Sequence, residues 1–222
     1  MSNLYHKIPT ICMRQESKPF KLIEGKYREP EFELLKDIEW TFTEKVDGTN
    51  IRIMWDGYNV VFGGRTENAQ IPSYLVNKLN EIFTGTKIEQ IFEQVFGESK
   101  VILFGEGYGA KIQKGGGNYS KDQEFVLFDV KVGEWYLKRE DIEDVAKKFS
   151  LKTVPIIAKG NLQTGVDLVK SGLKSQWGDF IAEGLVAKPS VDIFNRRGQR
   201  IITKIKTEDF INKELDGKDV NS

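Results

Sequence analysis

An α+β fold with mainly antiparallel sheets flanked by helices is predicted by three observations. Seven stretches are rich in β-branched and aromatic residues, four segments between them carry a helical spacing of apolar positions, and an Asp-Gly pair joins two of the strand-like runs directly.

The strand-like stretches lie at residues 40–44, 50–55, 59–62, 101–104, 124–132, 184–188 and 200–206. Asp56-Gly57 sits between the second and third of these and reads as a hairpin turn. Helices are expected over 72–83, where Leu75, Leu79, Ile82 and Phe83 share a face, and over 88–96, 138–149 and 162–170. Gly115-Gly116-Gly117 is too permissive for a strand or helix and reads as a loop. With no internal repeat, low-complexity tract or linker, the expectation is a single compact domain in which only the tail from Asp216 to Ser222 is polar enough to fray.

Thirty-three basic residues balance 33 acidic ones, so no global field favours nucleic acid and any such partner must meet a local patch. Cys12 is the only cysteine and cannot form an intramolecular disulfide, while the opening MSNLYHKIPT lacks a signal-like apolar run. A reducing, cytoplasmic location is the expectation. No stretch approaches the roughly 20 apolar residues of a membrane-spanning helix. His6 is the only histidine, which leaves histidine-built metal sites and Ser-His-Asp catalysis unsupported. The glycines between Gly105 and Gly117 are not followed by Gly-Lys-Ser/Thr, so they do not form a phosphate-cradling P-loop.

Lys45 stands between strand-like runs, in Thr43-Glu44-Lys45-Val46-Asp47-Gly48-Thr49-Asn50. Taken alone, it reads as a solvated turn. Lys204 and Lys206, two apart on a strand, share a face while Ile205 points inward; this pattern suits either an anion-binding pair or a solvent-facing edge strand. Glu106 and Glu183 each precede a glycine beside an apolar strand, where a carboxylate can face a ligand or simply the surface. Phe128 reads as sheet core or as a flat ring offered to a ligand, and 196–200 as a charged hairpin turn.

Taken together and in order, Lys45-Val46-Asp47-Gly48, Arg65-Thr66, Phe104-Gly105-Glu106-Gly107, Ile112-Gln113-Lys114, Val126-Leu127-Phe128-Asp129, Glu183-Gly184-Leu185-Val186-Ala187-Lys188 and Thr203-Lys204-Ile205-Lys206 resemble the motifs of the covalent nucleotidyltransferases, the polynucleotide ligases and messenger-RNA capping enzymes. Phe-Gly-Glu followed by Ile-Gln-Lys and Tyr119 is similar to the ATP-dependent RNA ligases typified by the second T-even phage enzyme and the kinetoplastid editing ligases. The resemblance spans roughly residues 40 to 206. It implies the nucleotidyltransferase, ATP-grasp-like ligase fold with a central nucleotide cleft and an adenylyltransferase domain over 1–207; the chain departs from the family pattern in length, with only a short tail expected at 208–222 and no OB-fold or other C-terminal domain.

The resemblance also implies roles. Lys45 would attack ATP and carry AMP, with Lys204 and Lys206 at the α-phosphate. Glu44 would read the adenine edge, Glu106 the ribose, and Phe128 would stack on the base. Glu183 would engage magnesium or manganese, with Asp47 as a further metal candidate. Asn50 and Arg65 would serve both nucleotide and RNA ends, and Arg52 is a further nucleic-acid candidate. Asn50 stands where DNA ligases and capping enzymes usually carry arginine, which points to the RNA-ligase branch. The expected partners are ATP, RNA ends including those of a nicked duplex, and a protein supplying a C-terminal surface. A minimal DNA ligase, a GTP-using capping enzyme and a non-catalytic nucleic-acid-binding module are the alternatives.

Overall fold

Secondary structure follows the sequence periodicity across most of residues 3–211, the part of the chain described by the structure, a computed structural model. These residues gather into two compact units. One comprises the segment ending at Tyr5 together with Asp47–Val154; the other comprises His6–Val46 and the chain from Pro155 onward.

The first unit is built on a six-stranded sheet. β4 (Thr49–Trp55), β5 (Val60–Gly63), β6 (Val101–Tyr108), β7 (Glu124–Val132) and β8 (Trp135–Tyr136) pair antiparallel in the order β5-β4-β6-β7-β8, and β9 (Lys152–Thr153) joins β7 in parallel. Along β4, Ile51, Ile53 and Trp55 alternate with Asn50 and Arg52, so one face is apolar and the other polar. The apolar face is covered by α2 (Ser73–Phe83), α3 (Thr86–Phe96) and α5 (Arg139–Lys148), whose Leu75, Leu79, Phe83, Phe92, Ile142 and Val145 complete a core with Leu103, Leu127 and Val130.

The second unit holds a four-stranded antiparallel sheet in the order β10-β3-β11-β12, made by β3 (Trp40–Glu44), β10 (Ile156–Gly160), β11 (Gly184–Pro189) and β12 (Thr203–Lys206). Helix α6 (Leu162–Lys170) lies on it, burying Leu162, Val166 and Val169 against Phe42, Leu185 and Ile205. A hairpin of β1 (Cys12–Arg14) and β2 (Leu22–Tyr27), followed by α1 (Pro30–Leu34), adds Ile11, Cys12 and Phe32 to the same core.

The α+β class with antiparallel sheets is confirmed, and three local expectations are revised. The strand expected at 101–104 runs on to Tyr108, because Gly105, Glu106 and Gly107 keep pairing with both β4 and β7. The expected strand 200–206 begins only at Thr203: Arg200 closes a turn against Phe194, and Ile201 turns into the core. Two glycines of the 115–117 run enter a single helical turn, α4 (Gly116–Tyr119), anchored by the buried Tyr119 ring beside Tyr108. The expected tail at 208–222 lies outside the described residues from 212 onward. Its first residues belong to a 3-10 turn, Thr207–Asp209, tied to the sheet by Thr207 N–H donating to the Glu183 carbonyl at 2.9 Å and by an Arg14–Asp209 ion pair at 2.6 Å. No helix among the described residues is long and apolar enough to cross a membrane.

Leu79, fully buried where α2 meets the first unit's sheet, reports on that packing. Leu79→Ala is expected to cost about 2–5 kcal/mol. Urea denaturation measures it, and a loss below about 1 kcal/mol would mean that α2 does not seal the core as described.

Candidate active site

Register assembles the chemistry of the second unit at one end of its sheet. Glu44 lies opposite Leu185, and Lys206 opposite Gly184, so Lys45, Glu183 and Lys206 leave three neighbouring strands at the same level. Lys45 is fixed by its backbone N–H, which donates to the Gly184 carbonyl at 2.9 Å. Its Nζ donates to Glu183 Oε2 at 2.6 Å, with both side chains about one-fifth exposed. Lys206 Nζ stands 3.8 Å from Glu183 Oε1 and donates to Glu208 Oε1 at 2.9 Å. That hydrogen bond outweighs partial burial and raises the Lys206 pKa, so this ammonium stays charged.

Lys204 and Lys206 share a face of β12, and Ile205 between them is fully buried, as their spacing predicts. β12 is the outermost strand of its sheet, as the edge-strand alternative expects, but its outer side is partly covered. The outer side of β12 is occupied by backbone: Ile11 N–H donates to the Lys204 carbonyl at 3.1 Å and Lys204 N–H to the Pro9 carbonyl at 3.0 Å. A paired strand that still presents two lysines is an unusual place to gather positive charge, and it is well suited to hold phosphate.

Glu44 points the other way from Lys45, into the protein. Its carboxylate accepts from Ser175 Oγ at 2.6 Å and from Gln176 N–H at 2.8 Å, tying the 175–176 turn to the end of β3. Burial pushes its pKa up, and those two donors offset the shift only in part. Ser175 and Gln176 carried no motif, so their role was invisible before the fold placed them beside Glu44.

In the first unit, Asn50 and Glu106 face each other across β4 and β6, on the polar side of the sheet. Gly48 makes room for this pair, since a Cβ there would lie 2.7 Å from Glu106 Cγ and 2.3 Å from the Gly107 carbonyl oxygen. Asn50 Oδ1 is buried with no hydrogen-bond partner among the described residues. A buried acceptor left unmatched is costly, so a ligand hydroxyl or amine is its natural complement. Asp47 Oδ2 accepts from Gly115 N–H at 3.3 Å.

Phe128 is half-buried and outside the unit's core, on the face opposite Phe125 and Leu127, and it sits at a bulge of β7: Phe104 pairs with Asp129 and Gly105 with Leu127, leaving Phe128 the extra residue. The bulge shifts the phase of the strand, so Val130 joins Phe125 and Leu127 in the core. The Phe128 ring meets Tyr5 at a centroid distance of 5.1 Å and 75°, while Tyr5 Oη donates to the buried Asp129 at 2.8 Å. Tyr5 gave no signal in the sequence; only the return of residues 3–5 to this sheet reveals it.

Arg52 is a correction. Expected to meet polynucleotide ends, it is 1% exposed and its guanidinium is bonded entirely within the protein. Arg65 is exposed on the loop after β5. The 196–200 cluster forms the charged turn expected of it, with Asn195 Oδ1 accepting from the N–H groups of Arg197 and Gln199, and Arg200 buried beside Asp192.

The sequence profile described as RNA ligase matches residues 38–206 of this chain. Among solved structures, Naegleria gruberi RNA ligase with PPi is similar at a TM-score of 0.63 and 21% identity, over 84% of this chain and 55% of that one. A mutant of the same Naegleria gruberi enzyme with ATP and Mn matches at 0.62 and 20%, over 93% and 60%, and another with AMP and Mn at 0.61 and 20%, over 80% and 52%. The chain thus spans between about half and three-fifths of the length of those structures. The likeness identifies the fold as that of the nucleotidyltransferase-type RNA ligases. No curated protein matches the chain significantly.

Because the folded pKa of Glu44 is raised, the folded state holds that proton more tightly than the unfolded chain does. Stability from this group is full below the ordinary carboxylate pKa and is lost as pH rises through the higher folded value. Glu44→Gln is expected to flatten that part of the profile. Urea midpoints of both proteins across mildly acidic pH test this, and equal slopes would exclude Glu44 as their source.

Proposed function

The chain belongs to the RNA ligase family, and on that premise we propose that it carries out ATP-dependent joining of RNA 5′-phosphate and 3′-hydroxyl ends through a lysyl-AMP intermediate on Lys45. One observation carries the reading: Lys45 Nζ lies 2.6 Å from Glu183, with the charged Lys206 3.8 Å from the same carboxylate. A lone surface lysine has no such company.

The chemistry follows from those groups. Contact with Glu183 holds the Lys45 side chain in place, and the amine acts as nucleophile with that carboxylate as acceptor for the proton it sheds. The amine nitrogen then bonds to the α-phosphorus, the bond to the bridging oxygen of pyrophosphate breaks, and pyrophosphate leaves. Lys204 and Lys206 offset negative charge on the α-phosphate as the pentavalent transition state forms. AMP passes to an RNA 5′-phosphate, and a 3′-hydroxyl attacks that activated end and releases AMP.

On the nucleotide side, the unmatched Asn50 Oδ1 and the facing Glu106 support recognition of ribose or terminal hydroxyls. The half-buried Phe128 supports stacking on adenine. Glu44 reaches ATP through the turn it anchors, rather than by free carboxylate oxygens. Arg65, exposed on its loop, supports contact with RNA phosphate.

Magnesium or manganese fits the donor set. The Glu183 carboxylate beside Lys45 and Lys206 is an oxygen donor of the kind such an ion takes, with water and phosphate oxygens to complete its shell. Glu183 would hold it. Such an ion supplies charge neutralisation at the phosphates and favours the neutral form of a nearby amine.

Labelled ATP with magnesium is expected to leave a denaturation-resistant label on the protein, and Lys45→Ala to abolish it while folding normally. Lys206→Ala is expected to slow labelling about 10²–10³-fold. Label from GTP alone would indicate capping chemistry, and no label from either nucleotide a binding module; either result overturns the proposal. Sealing of matched RNA and DNA nicks then separates an RNA ligase from a minimal DNA ligase.

A further inference from the structure

The two carbonyls that flank Arg65 are both held by one side chain. Arg52 Nε donates to the Gly64 carbonyl at 2.8 Å, and Nη2 to the Thr66 carbonyl at 3.5 Å. The same guanidinium donates through Nη1 to Glu67 Oε1 and to the Asn3 carbonyl, both at 3.2 Å. A planar fork with five N–H donors can serve four separated acceptors at once, one more than the three donors that a lysine carries on a single nitrogen.

The sequence makes space for this arrangement. Gly63 lies opposite Arg52 in the β4–β5 pairing, and a Cβ at Gly63 would fall 2.8 Å from Nη2 and 3.0 Å from Cζ. Any side chain there would push the guanidinium off the loop. Arg65 itself stays exposed at the apex of the clasped segment, with no carboxylate paired to it among the described residues. The buried arginine spends its hydrogen bonds on ordering the loop, and the exposed one is left to meet a ligand.

We infer that Arg52 is a positioning residue for RNA sealing: it clasps the 64–67 loop and so sets the direction in which Arg65 meets the phosphate of the RNA end. This rests on the reading of Arg65 given above. It replaces direct contact of Arg52 with nucleic acid by control at one remove. An arginine ordered beforehand loses less side-chain and loop entropy when the RNA arrives, which strengthens contact with a charged end without a new bond.

Three variants test it on the whole chain. Arg52→Lys keeps the charge and removes the fork; Gly63→Ala keeps Arg52 but occupies its seat; Arg65→Ala removes the group being positioned. Amide hydrogen exchange over 64–67, self-adenylylation, and sealing of pre-adenylylated RNA are measured on each. In Arg52→Lys and Gly63→Ala, exchange over 64–67 is expected to rise about tenfold or more, and sealing to fall about 10- to 100-fold, as for loss of one or two hydrogen bonds from a charged donor. Self-adenylylation is expected to stay within about twofold, whereas mere destabilisation would lower both activities together. Adding Arg65→Ala to Arg52→Lys should cost little beyond the single change, since both act through one group.

Unchanged exchange in both Arg52→Lys and Gly63→Ala overturns the clasp. Raised exchange with sealing intact, while Arg65→Ala fails to seal, overturns the positioning role. An Arg65→Ala protein that seals normally removes Arg65 from the RNA site and takes the inference with it. A wild-type chain that never self-adenylylates defeats the ligase reading instead, and the exchange data still decide whether Arg52 orders the loop.

Discussion

The register of β11 against its two neighbours is the constraint on which the chemistry depends. It levels the ends of three strands, so that a lysine after one, a glutamate before the next and a lysine ending the third share a small volume. Side chains alternate along a strand, so a slip of one residue in β12 would drive Lys204 and Lys206 toward the core and turn Ile205 outward. Fully buried Ile205, packed with Phe42 and Leu185, therefore does more than fill space: its burial fixes which way the two lysines point. The Lys45 amine and its charged neighbours are held by the apolar face behind them.

The first unit obeys the same logic with a different outcome. Its β4 places isoleucines on the helix-covered face and Asn50 and Arg52 on the other, but the two polar residues part company there. Asn50 keeps an unmatched acceptor, whereas Arg52 is saturated by carbonyls and a carboxylate. A polar side chain without its full set of internal partners has capacity left for a ligand. One that is fully bonded has become part of the framework, whatever its charge suggests.

Much of this was legible beforehand. The strand at 40–44 and the helices that bury Leu75, Leu79 and Val166 announce themselves by alternation or by a spacing of three and four, because each has one dry face, and the strand at 124–132 by its run of β-branched and aromatic residues. Lys45, Glu183, Lys204 and Lys206 were legible as a set through motif order, and three of them stand within 4 Å of one another through Glu183. Other features depend on contacts far apart in the chain. The bulge at Phe128 that brings Val130 into the core leaves no trace in composition, and Tyr5 reaches Asp129 across 124 positions. Arg52 misled for a related reason: a buried arginine and a substrate-binding one have the same letter, and only its acceptors tell them apart. The short strands β1, β2 and β10 lack a long run of alternating apolar residues and escaped notice.

The division of the chain gave no compositional sign, because the backbone changes unit inside ordered structure. At Val154 the N–H donates to Leu127 of one sheet, and at Pro155 the carbonyl accepts from Glu44 of the other. With the changes after Tyr5 and Val46, the polypeptide passes between units three times, so each is stitched from two separate lengths of chain. Neither can be excised with a single cut at each end: a fragment covering 47–154 forfeits Tyr5, and the remainder would need its broken ends rejoined. The covalent path makes the halves inseparable as genetic parts, even though each has its own hydrophobic interior.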